Sequence, residues 1–192
     1  MSKVQDSGMP EESIWNSFFD PPFILQTLGL EEIHGDVVEF GCGYGTFTLV
    51  AAARTTGTVH ALDLEPEMVS KVKKKCRCAG ITNVQTKLRD FVAEGTGLSA
   101  ESVAVALLFN ILHHNEPVTL LEEARRILVP GGTIAVIHWN HDSTTPRGPD
   151  MSIRPRPQQC MEWAIAAGLR HRGEDFFDLP PYHYGLLFRK HR

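Results

Sequence analysis

Three glycines alternate with other residues in a short segment that follows a run of β-branched residues. Gly41, Gly43 and Gly45 occupy every second position, and the acidic Glu39 precedes the first of them by two residues. Glycines at this spacing let the backbone turn sharply and approach a ligand without obstruction by a Cβ atom. A helix predicted to begin near Thr46 would point free N–H groups at the same place, which favours a carboxylate or a phosphate.

The spacing of these glycines distinguishes between kinds of bound nucleotide. A dinucleotide-binding loop has the pattern GxGxxG, whereas the third glycine comes one residue earlier here. The carboxylate of Glu39 is also unsuited to a pyrophosphate, but it suits a ligand that carries a positive charge and a carboxylate. The loop therefore disfavours a nicotinamide-dependent oxidoreductase and favours a cationic ligand.

The glycine segment lies in a region where predicted strands and helices alternate. Short apolar or β-branched runs predict strands at 36–40, 58–64, 83–89, 103–109 and 133–139. Segments with helical spacing separate them, and the run at 103–109 is apolar on both faces, as is typical of a central strand in a parallel sheet. This alternation predicts a doubly wound α/β sheet, in which ligands bind at the carboxyl ends of the strands.

Both ends of the chain differ from this central region. Residues 1–12 are polar, and we expect a flexible N-terminal tail followed by a single domain over 13–192. Asp20 before two prolines predicts the start of a helix. After the fifth strand comes a long loop, then a short helix at 157–167. Two extended stretches follow, at 169–177 and 184–190, with a predicted turn at Pro180-Pro181-Tyr182.

The composition excludes several classes of protein. The chain has 192 residues, of which 42% are hydrophobic and 22% charged, as expected for one globular domain. Its net charge of −4 gives no overall basic field for nucleic acid, and no apolar run is long enough to span a membrane. Its four cysteines form no CxxC pair or finger-like spacing, so we expect reduced thiols in a cytoplasmic protein and no metal site.

Four motifs, each on the expected element, resemble those of class I S-adenosylmethionine-dependent methyltransferases. They are VVEFGCGYG at 37–45, Asp63 ending the second strand, Asp90 ending the third, and LVPGGTI at 128–134 before the fifth. The resemblance covers roughly residues 20–190. It implies a Rossmann-like doubly wound sheet, mostly parallel with an antiparallel C-terminal hairpin strand. It also implies S-adenosylmethionine as the cofactor.

The resemblance assigns cofactor-binding roles to residues at the ends of the first four strands. Glu39 would face the ammonium and sulfonium charges, and Asp63 would accept hydrogen bonds from both ribose hydroxyls. Asp90 would accept a hydrogen bond from the adenine amino group. The other residues that the resemblance places around the cofactor are Gly41, Cys42, Gly43, Gly45, Leu64, Phe91, Asn110 and Ile111.

Methyl transfer needs few catalytic groups, because positioning of donor and acceptor contributes most and a base serves only if the acceptor must lose a proton early. His113 and His114 follow the fourth strand and are candidates for that base or for a hydrogen bond to the acceptor. Helix capping or packing is the alternative for both histidines.

Two further groups of residues could shape the acceptor site. Arginines in the loop after the fifth strand would suit an anionic acceptor, although a charged surface loop is an equal alternative. Aromatic residues before the first strand and in the glycine segment could form a lid, with core packing as the alternative for the first three. The arginines are Arg147, Arg154 and Arg156, and the aromatic residues are Trp15, Phe18, Phe19 and Tyr44.

The leading hypothesis is a soluble methyltransferase that acts on a small molecule and exists as a monomer or homodimer. A methyltransferase of RNA or protein is the first alternative, which the acidic net charge and the lack of an added recognition domain disfavour. A nicotinamide-dependent oxidoreductase and a cofactor-binding protein without catalysis are the others. The identity of the acceptor and the atom that is methylated stay open at this point.

Overall fold

The computed structural model describes residues 9–192, which form one seven-stranded sheet with helices on both faces. Residues 1–8 of the predicted N-terminal tail lie outside the described residues. The strands are β1 (Val37–Phe40), β2 (Val59–Asp63), β3 (Val84–Leu88), β4 (Val103–Phe109), β5 (Leu128–Trp139), β6 (Phe176–Leu179) and β7 (His183–Arg189). The helices are α1 (Glu12–Asn16), α2 (Pro21–Thr27), α3 (Thr48–Arg54), α4 (Pro66–Ala79), α5 (Pro117–Ile127) and α6 (Pro157–Ala166).

The strand order is β3-β2-β1-β4-β5-β7-β6. Strands β1 to β5 are parallel, whereas β7 runs antiparallel to both β5 and β6. The predicted doubly wound sheet with an antiparallel C-terminal hairpin strand is therefore confirmed. The winding reverses between β1 and β4, and a crevice opens at such a reversal beyond the carboxyl ends of the strands.

The central strand β4 supplies side chains to two separate cores. Ala106 and Leu108 pack in a cluster with residues of α5 and α6. Val105 and Leu107 point to the opposite face, where they join a cluster with residues of α2 and α3. Because successive side chains of a strand point to opposite faces, an apolar run without polar interruption requires cover on both sides.

Local signals in the sequence define several helix ends. Pro21, Pro66, Pro117 and Pro157 each begin a helix, where the fixed φ of proline is favourable and its missing N–H costs nothing. The side chain of Asp20 accepts a hydrogen bond from the backbone N–H of Phe23 at 3.1 Å, as a helix cap does. The predicted helix start at Asp20 is thus confirmed.

Two predicted elements differ from the structure. Strand β5 begins at Leu128 and runs through the predicted Pro-Gly-Gly turn, with its register against β4 shifting between Val103 and Val105. The predicted extended stretch at 169–177 contains a 3-10 turn at Gly173–Asp175, so that β6 begins only at Phe176. The Asp175 side chain accepts a hydrogen bond from the Arg172 N–H at 3.0 Å, which stabilises that turn.

The segment between β3 and β4, which carries Asp90, is attached to α5 by one carboxylate. Glu123 accepts hydrogen bonds from the backbone N–H and the hydroxyl of Thr96, at 2.7 and 2.6 Å, and pairs with Arg126 at 2.7 Å. Burial raises the pKa of Glu123, but the hydrogen bonds from Arg126 and Thr96 outweigh burial and leave the pKa below its usual value. The ionised carboxylate therefore stabilises the fold.

Replacing Glu123 with Gln should lower the free energy of unfolding near pH 7 by about 1–2 kcal/mol, because charged hydrogen bonds are lost. A carboxyl group with a lowered pKa stabilises the fold above its ordinary pKa, and this contribution disappears as the pH falls through the folded-state value. Urea unfolding of both proteins should show a difference that shrinks toward about pH 3. A difference that stays constant with pH would contradict this role of Glu123.

Candidate active site

A cavity of about 460 Å³ lies at the carboxyl ends of β1, β2 and β4, where the winding of the sheet reverses. Its volume is in the range of small-molecule and cofactor sites. Most of the predicted site residues line it: Glu39, Gly41, Cys42, Gly43, Asp63, Leu64, Asp90, Phe91, Asn110, Ile111, His113 and Arg147. The sheet thus brings together side chains that are far apart in the sequence.

Gly45, a predicted cofactor residue, serves the packing of the loop and does not line the cavity. Its φ is +78°, and a Cβ at this position would lie 3.0 Å from side-chain atoms of both Leu49 and Val72. Its N–H donates a hydrogen bond to the carbonyl of Cys42 at 2.8 Å. A glycine is therefore required here for a tight turn that lies close to α3 and α4.

Asp63 connects the glycine loop to the end of β2. Its two carboxylate oxygens accept hydrogen bonds from the backbone N–H groups of Gly43, at 2.8 Å, and Glu65, at 2.9 Å. Burial raises the pKa of Asp63, and these backbone hydrogen bonds oppose the increase. Since each carboxylate oxygen has more than one acceptor site, the fixed side chain can still accept hydrogen bonds from a ligand.

Glu39 is a buried acid beside Asp63, with an exposed fraction of only 3%. It accepts a short hydrogen bond from the hydroxyl of Thr48. Burial raises the pKa of Glu39 to about 8; Thr48 opposes that increase, and the charge of Asp63 adds to it. Within residues 9–192 no salt bridge involves Glu39. A cation in the cavity would provide the opposite charge that favours its ionised form.

Asn110, directly after β4, combines an uncommon backbone conformation with unsatisfied polar atoms. Its φ of +56° lies in the left-handed region, and its N–H donates to the carbonyl of Ile137 at 2.8 Å. Both polar atoms of its side chain are buried without a hydrogen-bond partner among the described residues. Unsatisfied buried groups and strained backbone are costly, so together they indicate a ligand contact.

The two histidines after β4 have different surroundings. His113 lines the cavity, and its Nδ1 lies 3.2 Å from Nε2 of the buried His138 on β5. Burial, followed by the neighbouring His113, lowers the pKa of His138 well below its usual value, so His138 is neutral. The Nδ1 atom of His114 accepts a hydrogen bond from the N–H of Glu116 at 3.0 Å, just before α5. His114 does not line the cavity, and its position matches the capping alternative.

The structure brings one of the three predicted arginines to the cavity. Arg147 lines it, together with Gly148. The guanidinium of Arg154 is buried in its own loop and donates hydrogen bonds to loop oxygens, whereas Arg156 is exposed at the start of α6. Local sequence did not distinguish these environments, because all three residues lie among prolines and charged residues in one loop.

Several residues of the cavity wall were missed by the sequence analysis. Phe109 and Trp139 end β4 and β5, and Gly148 and Pro149 follow in the next loop. The positions of Phe109 and Trp139 at the carboxyl ends of predicted strands were the available signal. For Gly148 and Pro149 no local signal existed, since the loop's path is decided by tertiary contacts.

The first described residues cover one side of the cavity. Met9 and Trp15 line it, and the carbonyl of Pro10 accepts a hydrogen bond from the Tyr44 hydroxyl at 2.8 Å. Glu12 of α1 pairs with Lys75 of α4. Met9, Pro10 and Glu12, predicted as part of a tail, therefore contact the cavity wall and α4. Of the four aromatic residues predicted as a lid, Trp15 and Tyr44 line the cavity, whereas the rings of Phe18 and Phe19 pack against Trp139.

Residues 9–192 contain neither a cluster of metal ligands nor a membrane-spanning helix. No group of three or more His, Cys, Asp or Glu side chains is arranged to hold a metal ion. In the same part of the chain, every helix is too short or too polar to cross a membrane.

Comparisons with known proteins agree with this geometry. A family model described as a methyltransferase domain matches residues 37–132, which is half of the chain. The chain is 26% identical, over 176 residues, to the 2-heptyl-1-hydroxyquinolin-4(1H)-one methyltransferase of Mycobacteroides abscessus, a match that covers 85% of this chain and 76% of that protein. It is 29% identical, over 109 residues, to aklanonic acid methyltransferase DauC of Streptomyces sp. (strain C5), covering 55% of this chain and 49% of the relative.

The matches span between 33% and 76% of the length of these and other curated relatives. Among solved structures, a SAM-dependent methyltransferase from Aquifex aeolicus superimposes with a TM-score of 0.80 at 24% identity, covering 93% of both chains. The chain therefore belongs to the methyltransferase-domain family, and the predicted class I fold of S-adenosylmethionine-dependent methyltransferases is confirmed.

Proposed function

We propose that the chain transfers the methyl group of S-adenosylmethionine to a hydroxyl group on a small molecule that contains an aromatic ring system. The observation that carries the proposal is the pair of buried carboxyl groups, Glu39 and Asp63, which lie side by side in a cavity at the switch point of the sheet. A cationic nucleoside matches this pair, because its charges suit Glu39 and its ribose hydroxyls can donate to Asp63.

Other residues of the cavity fit the rest of this cofactor. Leu64 and the buried Phe91 provide apolar surface for an adenine ring, and Asp90 lines the cavity next to them. The unpaired side chain of Asn110 offers both a donor and an acceptor near the strand ends. When bound, S-adenosylmethionine supplies an activated methyl carbon, so the protein's contribution is to orient the two reactants.

The remaining cavity wall supports an aromatic acceptor. Trp15, Phe109 and Trp139 line it, and Arg147 adds a cationic group. Aromatic side chains favour flat ring systems through offset or edge-to-face stacking. The name of one relative, a hydroxyquinolinone methyltransferase, contains such a ring system, and that of another, an aklanonic acid methyltransferase, contains an acid. A guanidinium also suits an anionic acceptor, which is one of the two alternatives that the loop arginines left open in the sequence.

His113 is the residue that we propose as proton acceptor. His113 lines the cavity and its Nδ1 contacts the neutral His138, and we assign the proton-accepting role to Nε2 of the same ring. With S-adenosylmethionine bound, this nitrogen would accept the proton of the acceptor hydroxyl as its oxygen bonds to the methyl carbon, and sulfur would keep the electron pair of the carbon–sulfur bond that breaks. The His113–His138 contact holds the imidazole in place during that transfer.

Replacing Asp63 with Ala should weaken S-adenosylmethionine binding by one to two orders of magnitude, or about 1.5–3 kcal/mol, because charged hydrogen bonds are lost. Isothermal titration calorimetry measures this affinity. Asp36→Ala is the matched control, since Asp36 contacts His60 and Thr58 at the opposite end of the strands. An unchanged affinity in the Asp63 variant would remove this residue from the site.

Cofactor binding near pH 7 should release a proton from Glu39. Because burial raises its pKa to about 8, this group is largely protonated at that pH, and a bound cation lowers the pKa. Calorimetry in buffers of different ionisation enthalpy should show release of about 0.5–1 proton beyond that seen with Glu39→Gln. S-adenosylhomocysteine, which lacks the sulfonium charge, should release less. Equal proton release by wild type and by Glu39→Gln on binding S-adenosylmethionine would show that Glu39 does not respond to the ligand's charge.

Incubation with methyl-labelled donor and 2-heptyl-1-hydroxyquinolin-4(1H)-one should add one methyl group to this compound, measured by mass spectrometry. His113→Gln should slow the transfer by about 10²–10⁴-fold, as expected for loss of general base catalysis, with little change in cofactor affinity. His191→Gln, at an exposed histidine outside the cavity, is the control. If ring hydroxyl compounds of this kind are not methylated, the proposed acceptor class is wrong.

A further inference from the structure

The loop between β5 and α6, residues 140–156, forms part of the cavity wall. Arg147, Gly148 and Pro149 contribute to the lining, next to the ring of Trp139. None of these loop residues belongs to the glycine segment or to the end of β2, which we propose to bind the cofactor. Under the proposed function, this loop therefore faces the methyl acceptor.

The buried side chain of Arg154 is hydrogen-bonded to oxygens along the loop from Asn140 to Pro149. Arg154 is only 7% exposed, and its guanidinium points back into the loop that carries it. Its donors reach the carbonyls of Asn140 and Asp142 at 3.1 Å, the hydroxyl of Thr145 at 2.5 Å, the carbonyl of Arg147 at 3.4 Å, and the carbonyl of Pro149 at 3.0 and 2.8 Å. A planar group with five N–H donors can join this many acceptors, whereas a lysine ammonium has only three.

The charge of Arg154 is balanced without a direct ion pair in the described part of the chain. Burial lowers the pKa of Arg154, and the nearby carboxylates of Asp142 and Asp150 oppose this decrease without cancelling it. Both aspartates also accept hydrogen bonds from loop residues, namely Thr144 and Ser152. The loop is thus built around a buried cation that is satisfied mainly by backbone carbonyl dipoles.

Gly148 shows how closely this cation approaches the cavity wall. Its φ of +130° is one that other residues rarely adopt. A Cβ at this position would lie 2.6 Å from Nη2 of Arg154 and 3.0 Å from Cγ of Trp139. The peptide at Gly148 is therefore held between the guanidinium and the indole ring, and these contacts fix the position of the wall.

We infer that Arg154 is a positioning residue for the methyl acceptor, an inference that rests on the proposed function. Its guanidinium holds the wall formed by Arg147, Gly148 and Pro149 at a fixed distance from the reacting centre. The cofactor side is held separately, by the hydrogen bonds of Asp63 to the glycine loop. Loss of Arg154 therefore loosens acceptor binding and leaves cofactor binding intact.

The test compares Arg154→Met and Arg154→Lys with wild type, and uses Arg77→Met, at an exposed arginine of α4, as the matched control. Hydrogen–deuterium exchange at 140–153 should be about tenfold faster in both Arg154 variants, because neither side chain can join all of the loop oxygens. The dissociation constant for S-adenosylmethionine should stay within about twofold of wild type. With 2-heptyl-1-hydroxyquinolin-4(1H)-one as acceptor, KM should rise about tenfold while the cofactor constants do not change.

A second pair of variants keeps the test independent of folding defects. Gly148→Ala should push the wall away from Trp139. As in the Arg154 variants, the acceptor KM should rise while the affinity for S-adenosylmethionine stays unchanged. Gly80→Ala is its control, because Gly80 also has a positive φ, +66°, but nothing within 4 Å of its Cβ position. This control should show backbone strain as a lower Tm, with the exchange at 140–153 unchanged.

Unchanged exchange at 140–153 in Arg154→Met would overturn the inference. A parallel loss of cofactor affinity and acceptor affinity would overturn it as well, because it would indicate general destabilisation. If wild type leaves the quinolinone unmethylated, the proposed acceptor class fails, whereas the exchange rates and the cofactor affinity still decide the role of Arg154.

Discussion

Two carboxyl groups are buried at the carboxyl ends of neighbouring strands, and the electrostatic character of the cavity depends on them. Glu39 on β1 and Asp63 on β2 are both almost inaccessible to water, and the charge of Asp63 raises the pKa of Glu39. Burial of two acids is unfavourable in the absence of a partner, and backbone N–H groups stabilise only Asp63 directly. A cation is the simplest partner for Glu39, because no salt bridge within residues 9–192 balances its charge. The electrostatics of Glu39 therefore favour a cationic ligand.

The sheet topology explains why these acids can be presented to a ligand at all. Strand β1 lies between β2 and β4, and the chain winds in opposite directions on the two sides. Helices on both faces then leave the strand ends uncovered at this point, and the loops after β1, β2 and β4 meet there. The apolar side chains of β4 pack in both cores and so hold the strands between the two helical layers. The candidate site thus lies where these strand ends stay open to a ligand.

The two sides of the cavity are supported by different physical means. On the side that we propose for the cofactor, backbone N–H groups of the glycine loop and of Glu65 hold the carboxylate of Asp63. On the side that we propose for the acceptor, the guanidinium of Arg154 holds backbone carbonyls of a long loop. A carboxylate that accepts hydrogen bonds from several N–H groups fixes irregular backbone, and a guanidinium that donates to several C=O groups does the same with the opposite charge. The two hydrogen-bond networks share no side chain.

Sequence alone determined the doubly wound sheet, its winding and most of the strand-end residues that line the cavity. The glycine spacing, the apolar run at 103–109 and the acids at strand ends are local patterns, and strand ends of a parallel sheet meet wherever the chain folds in this way. Tertiary structure decided which of Arg147, Arg154 and Arg156 reaches the cavity and which of His113 and His114 lines it. Adjacent residues of one type have the same local signal, and only contacts with distant carbonyls and rings give them different surroundings.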